Sequence, residues 1–353
     1  MDGLKYTLAM AHSVRFRWPQ LGVTVQVGLL DDHNPELTHA LWRQLPLLSI
    51  QSHAMVAGQQ IYAPTRLSLA DPDRAYTEPM NEQQPGRVNF EPYFQYLALN
   101  YGPMSEPVPA WPIGQVAPDD VARLPALGQQ VWNAFQAGRT DLLLVIEQAD
   151  EPPTPLDLAQ LAAPHRAAVE LPPTITWPDL LRHIEAETDA IWVNEPQDVL
   201  ALRLGVQTSE AGVYGQYFSP WVMVTGLVRS LAIVDLAALV RLAGDSTFTV
   251  AHLQRLVHEM LAVMLGVVDY FGLPQLGATL AAVDRIVDQI EVRDDFERFI
   301  RALHTYVNRY NLWLYQTFPW RLGVLFPKTN GMDAQTVLDL LSRPPYQPTQ
   351  PHP

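Results

Sequence analysis

The chain of 353 residues has no cysteine, which excludes thiol nucleophiles, disulfides and Cys-ligated zinc or iron–sulfur centres. Lysine is nearly as scarce: Lys5 and Lys328 are the only two, against 21 arginines. A buried Schiff-base lysine therefore has almost no candidate. No two glycines are separated by a single residue, so GxGxxG is absent, and neither GxxxxGK[ST] nor GxSxG occurs. Dinucleotide-loop, P-loop and serine-elbow chemistries fall with those motifs. Positive charge is in deficit, 23 basic against 37 acidic residues for a net charge of −14, and the resulting field repels nucleic acid and anionic membranes. An anionic small substrate survives this argument, because beyond about 10 Å salt screens the field and a few local arginines decide. No window approaches 18 uninterrupted apolar residues, and residues 1–20 lack the basic, apolar and small-residue succession of a secretory signal. The expectation is a cytoplasmic protein with a small-molecule partner, no nucleic acid and no membrane, in a composition compatible with a homo-oligomer.

What is present is a globular composition, 48% hydrophobic and 17% charged, in a length that suits two domains. Tyr6, Leu8, Met10, His12, Val14 and Phe16 alternate as one face of a strand, "WPQLG" reads as a turn, and "VTVQVGLL" as a second strand of a hairpin. "DDHNPELTHALWRQLP" predicts a helix with Asn34 as cap, Pro35 in its first turn and Pro46 as its stop. The run Ser49 to Tyr62, "SIQSHAMVAGQQIY", reads as one strand carrying His53, and "GRVNF" and "YFQYLALNY" as two more. Prolines 103, 107, 109, 112 and 118 then suggest an extended surface segment. A helix interrupted at Pro125 follows, and "TDLLLVIEQ" is a strand long enough to rejoin the first sheet. From Pro178 onward the periods become helical. The expected organisation is multidomain α+β: a β domain over 1–150, a proline-rich linker over 151–178, an all-α bundle over 179–330 and a mobile tail over 331–353.

The order strand, turn, strand, Pro-started helix, strand with His and Gly in "GVTVQVGLLDDHNPELTHALWRQLPLLSIQSHAMVAGQQIY" resembles the opening of cyclophilin-like domains. It departs where prolyl isomerisation would need it, since His53 is followed by Ala54, Met55 and Val56 instead of an arginine. With "GRVNFEPYFQYLALNYGP", "ALGQQVWNAFQAGRTDLLLVIEQ" and the helical second half, the chain from Tyr6 to roughly Pro327 resembles the cucumopine and mikimopine synthases. That resemblance implies a cyclophilin-like β-barrel followed by a helical bundle. It also implies a cofactor-independent Pictet–Spengler condensation of L-histidine, or a related arylethylamine, with 2-oxoglutarate or another oxo acid.

Such a condensation expels water and moves protons on and off a carbinolamine and finally off a ring carbon, which calls for a group titrating near neutrality. His53, among small neighbours with Gly58 close behind, is the first candidate for acid/base work, and Glu91 before Pro92 the second. The substrate carboxylates call for guanidinium or hydroxyl partners. Arg15, Arg66, Arg87 and Tyr101 are the binding candidates, with Arg17 and Arg74 beside them; Tyr93 and Tyr96 read as packing residues. His258-Glu259 lacks the second histidine of HExxH, and His183, Glu185 and Glu187 make no ligand face, so neither metal nor cofactor is expected. Two other readings of the same features are a non-catalytic metabolite- or peptide-binding module and a lyase or hydrolase on the same scaffold.

Overall fold

The alternation of Val14, Phe16 and Trp18 against Val25 and Val27 builds an antiparallel hairpin, β1 (Ser13–Trp18) and β2 (Val23–Leu29), in which Val14 faces Val27 and Phe16 faces Val25. Its turn, Pro19–Leu21, ends on Gly22 at φ 62°, a left-handed position that favours glycine. The computed structural model describes residues 12–69, 72–157, 161, 171–204 and 218–317. Tyr6, Leu8 and Met10 of the expected first strand, residues 158–160 and 162–170 of the expected linker and the expected tail lie outside them.

Helix α1 (Pro35–Arg43) starts on its proline, with Glu36 at the positive end of its dipole, and buries Leu37, Thr38 and Leu41. Asn34 does not cap it by its side chain. That amide donates instead to the carbonyls of Tyr76 and Pro112, at 3.0 and 2.8 Å, and accepts from the Tyr76 N–H, pinning the helix start to distant backbone.

The run expected as one strand is three: β3 (Leu47–Ile50), β4 (Ser52–His53) and β5 (Gly58–Pro64). The reason is the seam of the barrel. The remaining strands are β6 (Glu78–Pro79), β7 (Arg87–Glu91), β8 (Tyr96–Met104), β9 (Pro109–Val116) and β10 (Leu143–Gln148). They pair in the order β3-β10-β1-β2-β9-β7-β8-β5-β4, with β6 on β9. The two ends of this sheet are thus consecutive in the chain, separated by Gln51 alone. Gln51 donates its backbone N–H to Leu142 on one side and its side-chain amide to the Tyr62 carbonyl on the other. Its side-chain oxygen accepts from the Trp18 indole at 2.7 Å. The sheet closes almost completely into a barrel, which leaves few strand edges unpaired.

The proline-crowded segment also differs from expectation, because β9 is an interior strand. Pro109 is its first residue, and Pro112 lies where the β7–β9 register shifts, two positions at which a sheet tolerates a missing N–H. Two helices, α2 (Pro118–Val121) and α3 (Leu124–Gln136), break just before Pro125, and β10 returns to pair with β1.

The second unit is all-helical. Its described helices are α4 (Trp177–Ala190), α5 (Gln197–Arg203), α6 (Phe218–Ser230), α7 (Ala237–Ala243), α8 (Val250–Leu261), α9 (Val267–Tyr270), α10 (Pro274–Ile286) and α11 (Arg293–Thr317). A π-helical stretch, Leu231–Leu236, joins α6 to α7. Helices α10 and α11 are parted at 287–292. Nearly every residue of α11 from Phe299 onward is buried, which makes it the central rod around which the others pack. Pro220–Ala243 is apolar and long enough to cross a membrane by length and composition, with 44% of its most apolar window buried. Trp221, Val224, Val228, Leu231, Leu236 and Val240 form its buried face, as a core helix of the bundle requires. Among the described residues, packing assigns those within 12–92, 96–135 and 141–156 to the barrel unit and those within 93–95, 136–140 and 157–317 to the helical unit.

Candidate active site

Paired residues on neighbouring strands project from the same face, so the register decides which side chains can meet. Glu91 pairs with Tyr96, Asn89 with Ala98, Gln60 with Asn100, Tyr62 with Ala98 and Ser52 with Tyr62. These positions share one face of β4, β5, β7 and β8. Val88, Phe90, Leu97, Leu99, Ile61 and His53 share the opposite one.

The first face carries an unusual amount of buried polarity. Gln60 donates to Asn100 at 2.9 Å, Asn100 donates to Gln83 at 2.8 Å, and Gln83 and Asn89 exchange two bonds of 2.9 Å. Gln83 also donates to Glu78, which receives Arg87 at 3.2 Å. Gln60, Asn89 and Asn100 are at most 1% exposed. Each is satisfied, and a fully satisfied buried network rigidifies its strands. The Tyr62 and Tyr96 rings lie beside it with centroids 4.7 Å apart.

Glu91 differs from these neighbours. It is 7% exposed, and its Oε1 is buried with no hydrogen-bond partner. Burial, aided by the charge of Glu106, pushes its carboxyl up to about 8. At neutral pH it is mostly a neutral acid that can lose its proton within the working range, a property that groups at catalytic sites commonly have.

His53 sits on the other face, 5% exposed. Its Nδ1 lies 2.5 Å from the Ala54 carbonyl and its Nε2 2.8 Å from the Tyr101 hydroxyl. A carbonyl only accepts, so Nδ1 carries the proton and Nε2 receives the Tyr101 O–H. Burial holds its pKa below that of a free histidine. Its ring packs edge-on to Trp132 of α3 at 4.8 Å, and the Tyr101 ring lies on Gly128, where an added Cβ would come within 2.4 Å of it. The structure therefore joins His53 to Tyr101 and separates both from Glu91 by the thickness of the sheet.

The arginines also divide. Arg15 and Arg17 both bind the buried Glu147, at 3.2 and 2.9 Å, and Arg87 binds Glu78. Arg66 is exposed, two residues beyond the end of β5, the strand that carries Tyr62. Arg74 is exposed on a short 3-10 turn. Tyr93 groups with the helical unit, where the Arg241 guanidinium lies 5.2 Å from its ring centre. In that unit His258 meets Asp284 at 2.7 Å and Asp288 at 3.1 Å. Gln60, Tyr62, Gln83, Asn89 and Asn100 escape a reading of the sequence. A signal was there for one of them, since Asn89 alternates with the candidate Glu91 in the apolar "RVNFE" and so faces the same way.

These features define a class: a two-unit protein, a nearly closed β-barrel carrying a buried acid among ordered amides, followed by an all-α bundle. Residues 177–317 match the family model described as the cucumopine synthase C-terminal helical bundle domain. Among solved structures, the chain is similar to that of McbB in complex with tryptophan, at 29% identity and a TM-score of 0.76, covering 88% of this chain and 98% of that one. The solution structure of the hypothetical protein AF2241 from Archaeoglobus fulgidus aligns at 17% identity and a TM-score of 0.28, over 40% of this chain and 96% of that one. No curated protein matches. The helical unit thus matches the C-terminal bundle domain of the cucumopine synthases, and the chain as a whole is similar in structure to McbB.

Proposed function

We propose that the protein is a cofactor-independent Pictet–Spengler condensing enzyme that joins the amine of an aromatic amino acid, such as histidine or tryptophan, to the carbonyl of an oxo acid. The observation that carries this reading is Glu91, a buried carboxyl with an unpaired oxygen and a pKa of about 8. The match of the bundle to the cucumopine synthase domain and the tryptophan bound by McbB support the aromatic amine. The reading of the barrel as cyclophilin-like rests on its opening order of strands and Pro-started helix.

The substrate amine adds to the ketone carbon to give a carbinolamine. The protonated Glu91 carboxyl supplies the proton with which hydroxide leaves as water, giving an iminium ion. The nucleophilic ring carbon then closes on that ion, forming the carbon–carbon bond, and the Glu91 carboxylate takes the proton lost from that carbon. The acid is regenerated and water is the only by-product. Tyr62 and Tyr96 offer aromatic surface for the ring of the amine on the same face. His53, bonded to Tyr101 on the opposite face, holds β4 to β8, the strand that carries Tyr96.

Incubating the protein with histidine or tryptophan and a panel of oxo acids, 2-oxoglutarate first, should yield a product with the summed mass less one water. Glu91→Gln should lower turnover by roughly 10²–10⁴. No new mass with any pair, alongside measurable binding, would make the protein a metabolite-binding module.

A further inference from the structure

His12, Asp31 and His39 are scattered in the sequence and sit on three different pieces of the barrel unit: just before β1, just after β2 and on α1. The Leu29 N–H donates to the His12 carbonyl at 2.9 Å, aligning the first two, and the turn from Leu30 through Asn34 folds α1 back over them. His12 Nδ1 lies 2.9 Å from Asp31 Oδ2. The His12 ring is backed by Trp42 at 4.4 Å and stands edge-on to His39 at 6.1 Å. One ligand atom from each of the three lies within 4.8 Å of the other two. The second Asp31 oxygen, Oδ1, is buried and has no hydrogen-bond partner.

We propose that His12, Asp31 and His39 form a binding site for a divalent transition metal of the zinc type. Two imidazoles and a carboxylate suit zinc and its neighbours, whereas calcium and magnesium demand oxygen ligands. Metal bonds of about 2.0–2.2 Å set tetrahedral ligand atoms roughly 3.3–3.6 Å apart. The His12–Asp31 pair is already close to that separation. His39, exposed on α1, completes the set by a side-chain movement on the order of 1 Å. Trp42 fixes the His12 ring, and three protein ligands leave a position for water. The residues are distinct from those around Glu91, so the ion ties the entry of β1 to α1 without entering the condensation.

The full-length protein, stripped with chelator and returned to chelator-free buffer, is titrated with zinc chloride by calorimetry and with cobalt(II) by visible absorption. One saturable equivalent with micromolar affinity is expected. His39→Ala, at an exposed helical position where alanine is the best helix former, should weaken binding about tenfold or more and abolish the cobalt spectrum. Asp31→Asn should act in the same direction. Circular dichroism confirms that both variants are folded. Absence of a one-equivalent isotherm, or unchanged affinity in both folded variants, would overturn the proposal; the latter would assign the ion to others of the ten histidines.

Discussion

Replacing Glu91 by glutamine should stabilise the protein while disabling it, and the stabilisation should depend on pH in a defined way. The Glu91 carboxyl titrates at about 8 in the folded chain against 4.5 for the free side chain. Below 4.5 it is protonated in both states and costs nothing electrostatically. As pH rises from 4.5 to 8, the unfolded chain ionises freely while the folded one must hold a proton or bury a charge. Folding then loses about 1.4 kcal/mol per pH unit, on the order of 5 kcal/mol across the window, and the penalty is flat above it. Glutamine has nearly the same shape and never ionises, so the variant escapes this penalty. Urea denaturation at pH 4.5 and pH 8 measures it: parent and variant midpoints should be close at the lower pH, and the variant should be clearly the more stable at the higher. Turnover of the same samples should fall by roughly 10²–10⁴. A variant less stable than the parent at pH 8, or equally shifted at both, would mean that Glu91 is an ionised carboxylate with good partners, and its role as proton carrier would go with it.

Gln51→Leu removes the acceptor for the buried Trp18 indole and the donor to the Tyr62 carbonyl at the barrel seam, so it should cost roughly 2–4 kcal/mol in chemical denaturation; an unchanged midpoint would show that the barrel closes without this residue. His53→Gln cannot satisfy both the Ala54 carbonyl and the Tyr101 hydroxyl in the geometry of the ring, and a loss of roughly 1–3 kcal/mol is expected. Turnover of the folded His53→Gln fraction should stay within about tenfold of the parent, and a well-folded variant losing 10²-fold or more would make His53 a proton carrier. His258 has its pKa raised by hydrogen bonds to Asp284 and Asp288, so its contribution is full below 6.5 and lost as pH rises through the folded pKa. Because the side chain is 33% exposed, solvent screening keeps that contribution below about 1 kcal/mol. The difference in melting temperature between parent and His258→Gln should therefore be larger at pH 6 than at pH 9, and a pH-independent difference would refute the charged contact.

Several elements follow from the residues alone. The β1–β2 hairpin is written in alternating valines and aromatics around "WPQLG", α1 in its proline start, the break between α2 and α3 in Pro125, and the bundle in the helical periods of the second half. Each is a local property, since backbone preference and a period of 2 or 3.6 need only neighbouring residues. The missing glycine spacing likewise excluded a dinucleotide loop without any fold. What tertiary structure decided is nonlocal. Gln51 divides one apparent strand into the two ends of a sheet only because Leu142 and Tyr62 flank it from opposite sides. Pro109 and Pro112 are admitted to an interior strand only because the first position and a register shift fall on them. Pairing register sends His53 and Glu91 to opposite faces, a distinction that a one-residue slip would reverse. Lastly, a carboxyl's affinity for its proton depends on the water removed around it and on the charge of Glu106 brought near, so the chain could name Glu91 as a candidate while only its burial made it an acid near neutrality.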